Sequence, residues 1–287
     1  MDVLTVVEQL CHSYNLNLER YRSVSGGDIS QAFQLTTNKG NLFLKLNSDS
    51  SAGLMFEAEA LGLKTISDTH VIATPEVIGI GQIENQFYIL MEAIETDQGS
   101  DESMARLGKQ LAQLHQITAD QFGFENDNFI GSLKQYNDWK DSWSEFYILK
   151  RLLPQLHLAV EKGLMKHEEV PSAELMMKCC DRLCHDVKPS LLHGDLWGGN
   201  YLISKDGVPV LIDPAVYFGH HEVDIAMTKL FGGFSNAFYN AYEACFPTTP
   251  GYEDRIRLYQ LYYLLVHLNL FGLSYYGSVS RLIKQLF

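Results

Sequence analysis

The stretch His193-Gly194-Asp195-Leu196-Trp197-Gly198-Gly199-Asn200 carries a carboxylate and, five positions on, an amide; after the apolar run Val208 to Ile212 comes a second carboxylate, Asp213. These residue types suit phosphoryl transfer from ATP. That reaction asks a protein mainly for positioning: one carboxylate takes the proton of the attacking hydroxyl, and hard oxygen ligands hold magnesium across the phosphates. Asp195 fits the first role, and Asn200 and Asp213 fit the second. A short loop can aim Asp195 and Asn200 into one cleft, and a strand can present Asp213 near its end. Taken singly, His-Gly-Asp and Gly-Gly-Asn are also ordinary turns, and Asp213-Pro214 an ordinary strand end. Order and spacing together favour the chemical reading.

The elements upstream would have to bring the nucleotide to these groups. Tyr21 to Val24, the turn Ser25-Gly26-Gly27-Asp28 and the alternating segment Ile29 to Thr36 read as a hairpin. Backbone amides at Gly26 and Gly27 could approach phosphates that side chains would block. Next, Asn41 to Leu46 reads as a strand with Leu42, Leu44 and Leu46 on one face and Phe43 and Lys45 on the other. Lys45 then lies beneath the hairpin as a point charge for the phosphates. Ala52 to Ser67 has a helical pattern containing Glu57 and Glu59. Residues two apart on a helix diverge by roughly 200°, so one of them faces Lys45. Glu59, surrounded by Met55, Phe56, Leu63 and Ile66 at helical spacing, is chosen over Glu57. Strands follow at Glu76 to Gly81 and Gln86 to Glu92. The pattern changes from strand to helix after Met91-Glu92-Ala93-Ile94, which places a hinge there, with adenine against the main chain of Met91, Glu92 and Ala93. The chain divides accordingly into 1–94, covering the nucleotide, and 95–287, carrying catalytic and substrate groups.

The second part reads as mainly helical. Helices are expected over Ser103 to Ile117, with His115 a core residue; over Ser144 to Leu153, ended by Pro154; over Ala173 to about Asp186; and from Ile225 onward. Phe122 to Trp143 reads as a loop excursion. The run Leu258 to Leu273 contains Gln260, His267 and Asn269 and suits a buried helix whose polar groups need partners, not a membrane span. Asp224 can cap its helix or hold the catalytic-loop backbone. His220, His221 and Glu222 resemble a metal cluster on paper, but adjacent side chains are expected to diverge. Cys180, Cys184 and His185 lack the fourth ligand of a closed zinc site.

Composition bounds the rest. At 46% hydrophobic and 20% charged, the chain has the make-up of a globular protein with its own core. Its five cysteines are an odd number and are expected to be reduced thiols. A formal net charge of −13 opposes partnership with nucleic acid or an anionic membrane. Met1-Asp2-Val3-Leu4-Thr5 shows no basic segment leading into an apolar stretch, so a cytoplasmic location is expected.

Gly194 after His193, Pro214-Ala215 after Asp213, and the lack of a lysine two places beyond Asp195 point away from protein kinases and toward small-molecule kinases. The catalytic stretch, Asp213 to His220, Phe231-Gly232-Gly233-Phe234, Leu258 to Tyr262 with His267-Leu268-Asn269, Gly131 to Asn137, Trp143, Phe146-Tyr147 and Arg151 to Gln155 resemble the fructosamine kinase family, from about Val24 to the end. The resemblance implies an α+β, two-lobed protein-kinase-like fold close to aminoglycoside phosphotransferases. The small N-terminal lobe would be an antiparallel sheet plus one helix, the larger C-terminal lobe mainly helical. It also implies ATP and Mg2+ as cofactors and a ketosamine, free or protein-bound, as substrate, phosphorylated on its third carbon's hydroxyl so that the sugar leaves its amine. It carries over Asp195 as base, Asn200 and Asp213 as magnesium ligands and Lys45 with Glu59 on the phosphates, and adds Trp197 against the sugar. Eukaryotic members can carry a cysteine in the glycine-rich turn where this chain has Asp28, so a redox switch there is not expected. The competing readings are an aminoglycoside- or choline-type kinase and a nucleotide-binding module without turnover.

Overall fold

The structure, a computed structural model, describes residues 2–24 and 30–287; the turn holding Gly26, Gly27 and Asp28 lies outside the described residues. Helix α1 (Val3–Ser13) starts at Asp2, whose carboxylate accepts from the Thr5 amide at 2.8 Å. Strands β1 (Leu18–Val24), β2 (Gln31–Thr37) and β3 (Gly40–Asn47) follow, then α2 (Ala52–Ser67), β4 (Val77–Ile83) and β5 (Gln86–Glu92). They form one antiparallel sheet in the order β1-β2-β3-β5-β4. The period of two along β3 decides what each face does. Leu42, Leu44 and Leu46 are buried with Val6, Val7 and Leu10 of α1. Phe43 points the other way, into a cluster with Phe56 and Leu63 of α2 and Ile89 and Met91 of β5. Lys45 shares Phe43's face and so is aimed at α2.

Beyond β5 the chain contains α3 (Asp101–His115), the short ribbon β6 (Asn128–Ile130) and β7 (Leu133–Gln135), then α4 (Trp143–Tyr147), α5 (Leu153–Glu161) and α6 (Ala173–Leu183). The segment 122–143 is thus not all loop. Nor does Pro154 end a helix: it sits in the first turn of α5, after a π turn over Ile148–Leu152. A proline lacks the N–H that its i−4 carbonyl would receive in a regular helix. Here that carbonyl, on Lys150, accepts from Arg151 Nη1 at 3.0 Å, so the chain passes the proline without an orphaned acceptor.

Strands β8 (Ser190–Leu192), β9 (Tyr201–Ile203), β10 (Pro209–Leu211) and β11 (Tyr217–Gly219) form two ribbons, β8 with β11 and β9 with β10. They are followed by α7 (Glu222–Phe231), α8 (Asn236–Glu243), α9 (Tyr252–Phe271) and α10 (Tyr276–Leu286). The helix expected from Ile225 begins three residues earlier, at Glu222, and the one expected to reach Asp186 stops at Leu183. Helix α9 is buried along most of its length, and the amide nitrogens of its polar residues have partners: Gln260 Nε2 donates to Ala226 O, and Asn269 Nδ2 to Gln155 O and Oε1, while Asn269 Oδ1 is buried without one among the described residues. Among the described residues no helix is long and apolar enough to cross a membrane.

Helices α3 and α8 cross at Gly108, where an added Cβ would lie 2.2 Å from the Phe238 carbonyl oxygen. Backbone cannot give way as a side chain can. Gly108→Ala is therefore expected to destabilise the fold by about 1–3 kcal/mol, read as a lower urea midpoint at unchanged slope.

Candidate active site

The ribbons fix both ends of two loops. Residues 193–200 join β8 to β9, and 212–216 join β10 to β11. The loops are stitched together by Ala215 N–H to His193 O at 2.8 Å and Ile212 N–H to Asn200 O at 3.1 Å. At Gly194, with φ +86°, an added Cβ would lie 2.0 Å from Ala215 O, so only glycine lets the two backbones meet. The His193 ring is buried. Its Nε2–H donates to Ile212 O at 2.9 Å, which leaves Nδ1 to accept from the Asp195 amide at 3.2 Å. Burial lowers the His193 pKa, consistent with that neutral tautomer.

Asp224 anchors the loop from below. Its Oδ2 accepts from His193 N at 2.8 Å and faces His115 Nε2 at 3.0 Å, while Oδ1 accepts from Gly194 N at 2.9 Å. Of the two roles open to Asp224, the structure shows the second, holding the loop backbone. From α9, the Tyr263 hydroxyl donates to Gly194 O at 2.9 Å. Tyr263 escaped the sequence reading because it stands in an apolar helical run where a tyrosine reads as core.

The charged groups converge on this frame. Lys45 Nζ lies 2.8 Å from Glu59 Oε1 and 2.5 Å from Asp213 Oδ1, joining β3, α2 and the loop after β10. Glu59, not Glu57, makes the pair. Asp213 adopts φ +53°, a left-handed conformation that few side chains take without cause. Asn200 Nδ2 donates to Asp195 O at 2.8 Å and Oδ2 at 3.2 Å. Burial, then the charges of Asp213 and Asp224, push the Asp195 carboxyl up to about 7, against the Asn200 hydrogen bond. Burial alone would depress Lys45, but Asp213 and Glu59 outweigh it and raise its pKa. Burial also raises Glu59, to about 7, against the pull of Lys45; Asp213 is lowered because the charge of Lys45 overcomes its own burial. Glu59 and Asp213 are two carboxylates on one ammonium, and the charge of Asp213 also reaches Asp195. That surplus suits a divalent cation, and so does the donor set: with the Asn200 nitrogen committed to Asp195, its Oδ1 accepts no hydrogen bond among the described residues. Asn200 and Asp213 therefore offer magnesium the hard oxygens it prefers.

Trp197 stands on the same loop, about 40% exposed, with its ring over Gly199, where an added Cβ would meet the indole at 2.4 Å. At the expected hinge, the Glu92 amide donates to Glu76 O and the Ala93 amide to Asn41 O, while the Met91 main chain lies within the sheet, paired with Phe43 and Val77. The Ile94 amide donates to no group among the described residues. His220, His221 and Glu222 do not diverge as expected: their ligand atoms lie within 4.8 Å of one another. Each is engaged, however. His220 and His221 Nδ1 bond the hydroxyls of Tyr259 and Tyr242 at 2.6 and 2.9 Å, and both Glu222 oxygens accept from Arg255. His115 is buried between Tyr242 and Asp224, as a core residue.

The family model described as fructosamine kinase matches residues 3–287. A Lactiplantibacillus plantarum protein named "Probable ketoamine kinase" is 42% identical over 271 residues, covering 94% of this chain and 95% of its own. "Ketosamine-3-kinase" of Mus musculus is 38% identical, covering 91% and 93%. The crystal structure of a Haemophilus somnus protein carrying the fructosamine-3-kinase name superposes with a TM-score of 0.87 at 31% identity, over 98% of this chain and 96% of that one. An aminoglycoside phosphotransferase shares the fold with a TM-score of 0.65 at 17% identity, over 99% of both chains. The architecture is thus the protein-kinase-like α+β fold.

The raised Asp195 pKa has a consequence for stability. A carboxyl that holds its proton more tightly folded than unfolded contributes stability below its ordinary range, and that contribution is lost as the pH rises toward about 7. In metal- and nucleotide-free protein, Asp195→Asn is expected to match the parent near pH 4 and to be more stable by about 1–3 kcal/mol at pH 8, a range discounted for partial exposure. Urea denaturation at both pH values measures it; an equal offset at both would show that Asp195 is not held protonated.

Proposed function

The chain belongs to the fructosamine kinase family, and from that premise we propose that it transfers the γ-phosphoryl group of ATP to a sugar hydroxyl of a ketosamine. The observation that carries this reading is the convergence of Lys45, Glu59 and Asp213 with a loop that orients Asp195 and Asn200. The sheet and helices of 1–94 form the lobe over the nucleotide, and 95–287 form the lobe that holds the loop and the substrate. Lys45, steadied by Glu59, neutralises phosphate oxygens as a point charge. The Ile94 amide, which donates to no group among the described residues and follows Met91, Glu92 and Ala93, supplies a main-chain donor for the adenine edge. Asn200 and Asp213 hold magnesium, which when bound screens the charge on the phosphates.

Asp195 accepts the proton of the attacking hydroxyl. A carboxyl held near 7 suits that role, since it is ionised at slightly alkaline pH and still basic enough to take a proton there. The hydroxyl oxygen bonds to the γ-phosphorus as its O–H bond breaks toward Asp195, and ADP departs with the electrons of the bond to its β-phosphate oxygen. Trp197 offers the C–H face of the sugar a flat apolar surface. Phosphorylation on the third carbon, the position in the mouse relative's name, labilises the adduct and frees the amine.

The test is ADP release from Mg-ATP with a fructose-amine adduct, a ribulose-amine adduct, an aminoglycoside and choline. Turnover is expected with the ketosamines, and Asp195→Asn should lower kcat by about 10²–10⁴-fold. Turnover with choline or the aminoglycoside alone would move the substrate class. Full activity of the variant would remove Asp195 as the base.

A further inference from the structure

Two phenylalanines end helices at one side of the loop that carries Asp195 and Trp197. Phe231 is the last residue of α7 and Phe271 the last of α9, and each precedes a glycine with positive φ, Gly232 at +75° and Gly272 at +87°. The chain turns away at the glycine and leaves the ring at the helix end, 42% exposed for Phe231 and 48% for Phe271. His267 lies between them, its ring centroid 4.6 Å from Phe231, 5.4 Å from Phe271 and 5.2 Å from Tyr275. The four rings form a continuous apolar shelf.

Both supports of this shelf are fastened to the catalytic loop. After Phe231, Gly232 and Gly233 pack on Gly198 closely enough that a Cβ there would meet Gly232 O at 3.3 Å and Gly233 Cα at 3.4 Å, and the Tyr201 hydroxyl donates to Gly233 O at 2.7 Å. On α9, His267 Nδ1 lies 2.8 Å from the carbonyl of Tyr263, whose hydroxyl holds Gly194. The shelf is therefore positioned by the loop that positions Asp195 and Trp197. Exposed rings grouped beside a polar reaction centre mark a place where an apolar ligand surface leaves water.

We propose that this shelf receives the amine half of the ketosamine and selects adducts whose amine carries an alkyl stem or an aromatic ring. The inference rests on the ketosamine kinase reading and extends it from the sugar to the aglycone. With the hydroxyl at Asp195 and the sugar ring on Trp197, the amine substituent leaves toward the elements that abut the same loop. The substrate nitrogen is a secondary ammonium, which aromatic faces attract, and the carbons beyond it gain by covering Phe231 and Phe271. An amine bearing its own carboxylate has no such surface to cover and meets a chain of net charge −13.

Two adducts of one sugar, on benzylamine and on glycine, are compared by initial rates with Mg-ATP, and the ratio of their kcat/KM values is the readout, because loss of active protein cancels from it. The parent is expected to favour the benzylamine adduct by at least about fivefold, mostly through KM. Phe271→Ser and Phe231→Ser should each lower the ratio at least threefold, and Phe271→Tyr should keep most of it. A ratio near one in the parent, or one unmoved by both serine variants, overturns the shelf assignment while leaving the kinase reading intact. Turnover of neither adduct overturns both.

Discussion

Everything at the catalytic centre hangs on one buried carboxylate. Asp224 is inaccessible to water, and a charge in that position is tolerable only if donors surround it. Its donors are the consecutive amides of His193 and Gly194 and the Nε2 of His115. Two of the three belong to the loop that presents Asp195. The loop cannot relax without stranding the charge, and the charge cannot leave without breaking the loop. Through His115 and Tyr242 the same group ties α3 and α8 to α7. The peripheral helices thereby become part of what holds the loop that carries Asp195.

The cleft itself is built with the opposite economy. Around Lys45 the acidic groups outnumber the basic ones, so these side chains carry more negative charge than they neutralise. Burial raises Asp195 and Glu59, with the charges of Asp213 and Asp224 adding to it at Asp195, while Asp213 is lowered because the pull of Lys45 overcomes its burial. A site poised in this way gains by taking up cationic charge, and Asn200 Oδ1 and Asp213 offer it oxygen atoms. The strained left-handed backbone of Asp213 fits the same account: the residue is held where the cleft needs an oxygen, not where the chain would relax.

How far the sequence carried this architecture depended on whether the relevant physics was local. The alternation along Leu42 to Leu46 put Lys45 on the α2 face, and the apolar neighbours of Glu59 turned it inward. Helix α2 falls where its pattern predicts. Pro154 misled because its usual effect leaves the i−4 carbonyl without a donor, and here that carbonyl, on Lys150, receives Arg151 Nη1. The His220 to Glu222 group came together where divergence was expected, since burial against Tyr259, Tyr242 and Arg255 bends three successive side chains toward partners far along the chain. Tyr263 carried no signal, because a hydroxyl reaching a loop carbonyl across the fold leaves its helix pattern unchanged.

The loop also shows why its glycines stand where they do. Gly194 meets Ala215 and Gly198 meets Gly232 and Gly233, each at a spacing that leaves little or no room for a Cβ. These are contacts of backbone on backbone, which lose no side-chain entropy on folding and cannot swing to another rotamer. A carboxylate positioned through main-chain contacts is fixed more firmly than one braced by long side chains. The arrangement also clears the loop's outer surface, where Trp197 lies over Gly199 and stays about 40% exposed. Substituting bulk for glycine at these points would shift the backbone that carries Asp195, even though none of the glycines bears a reactive group.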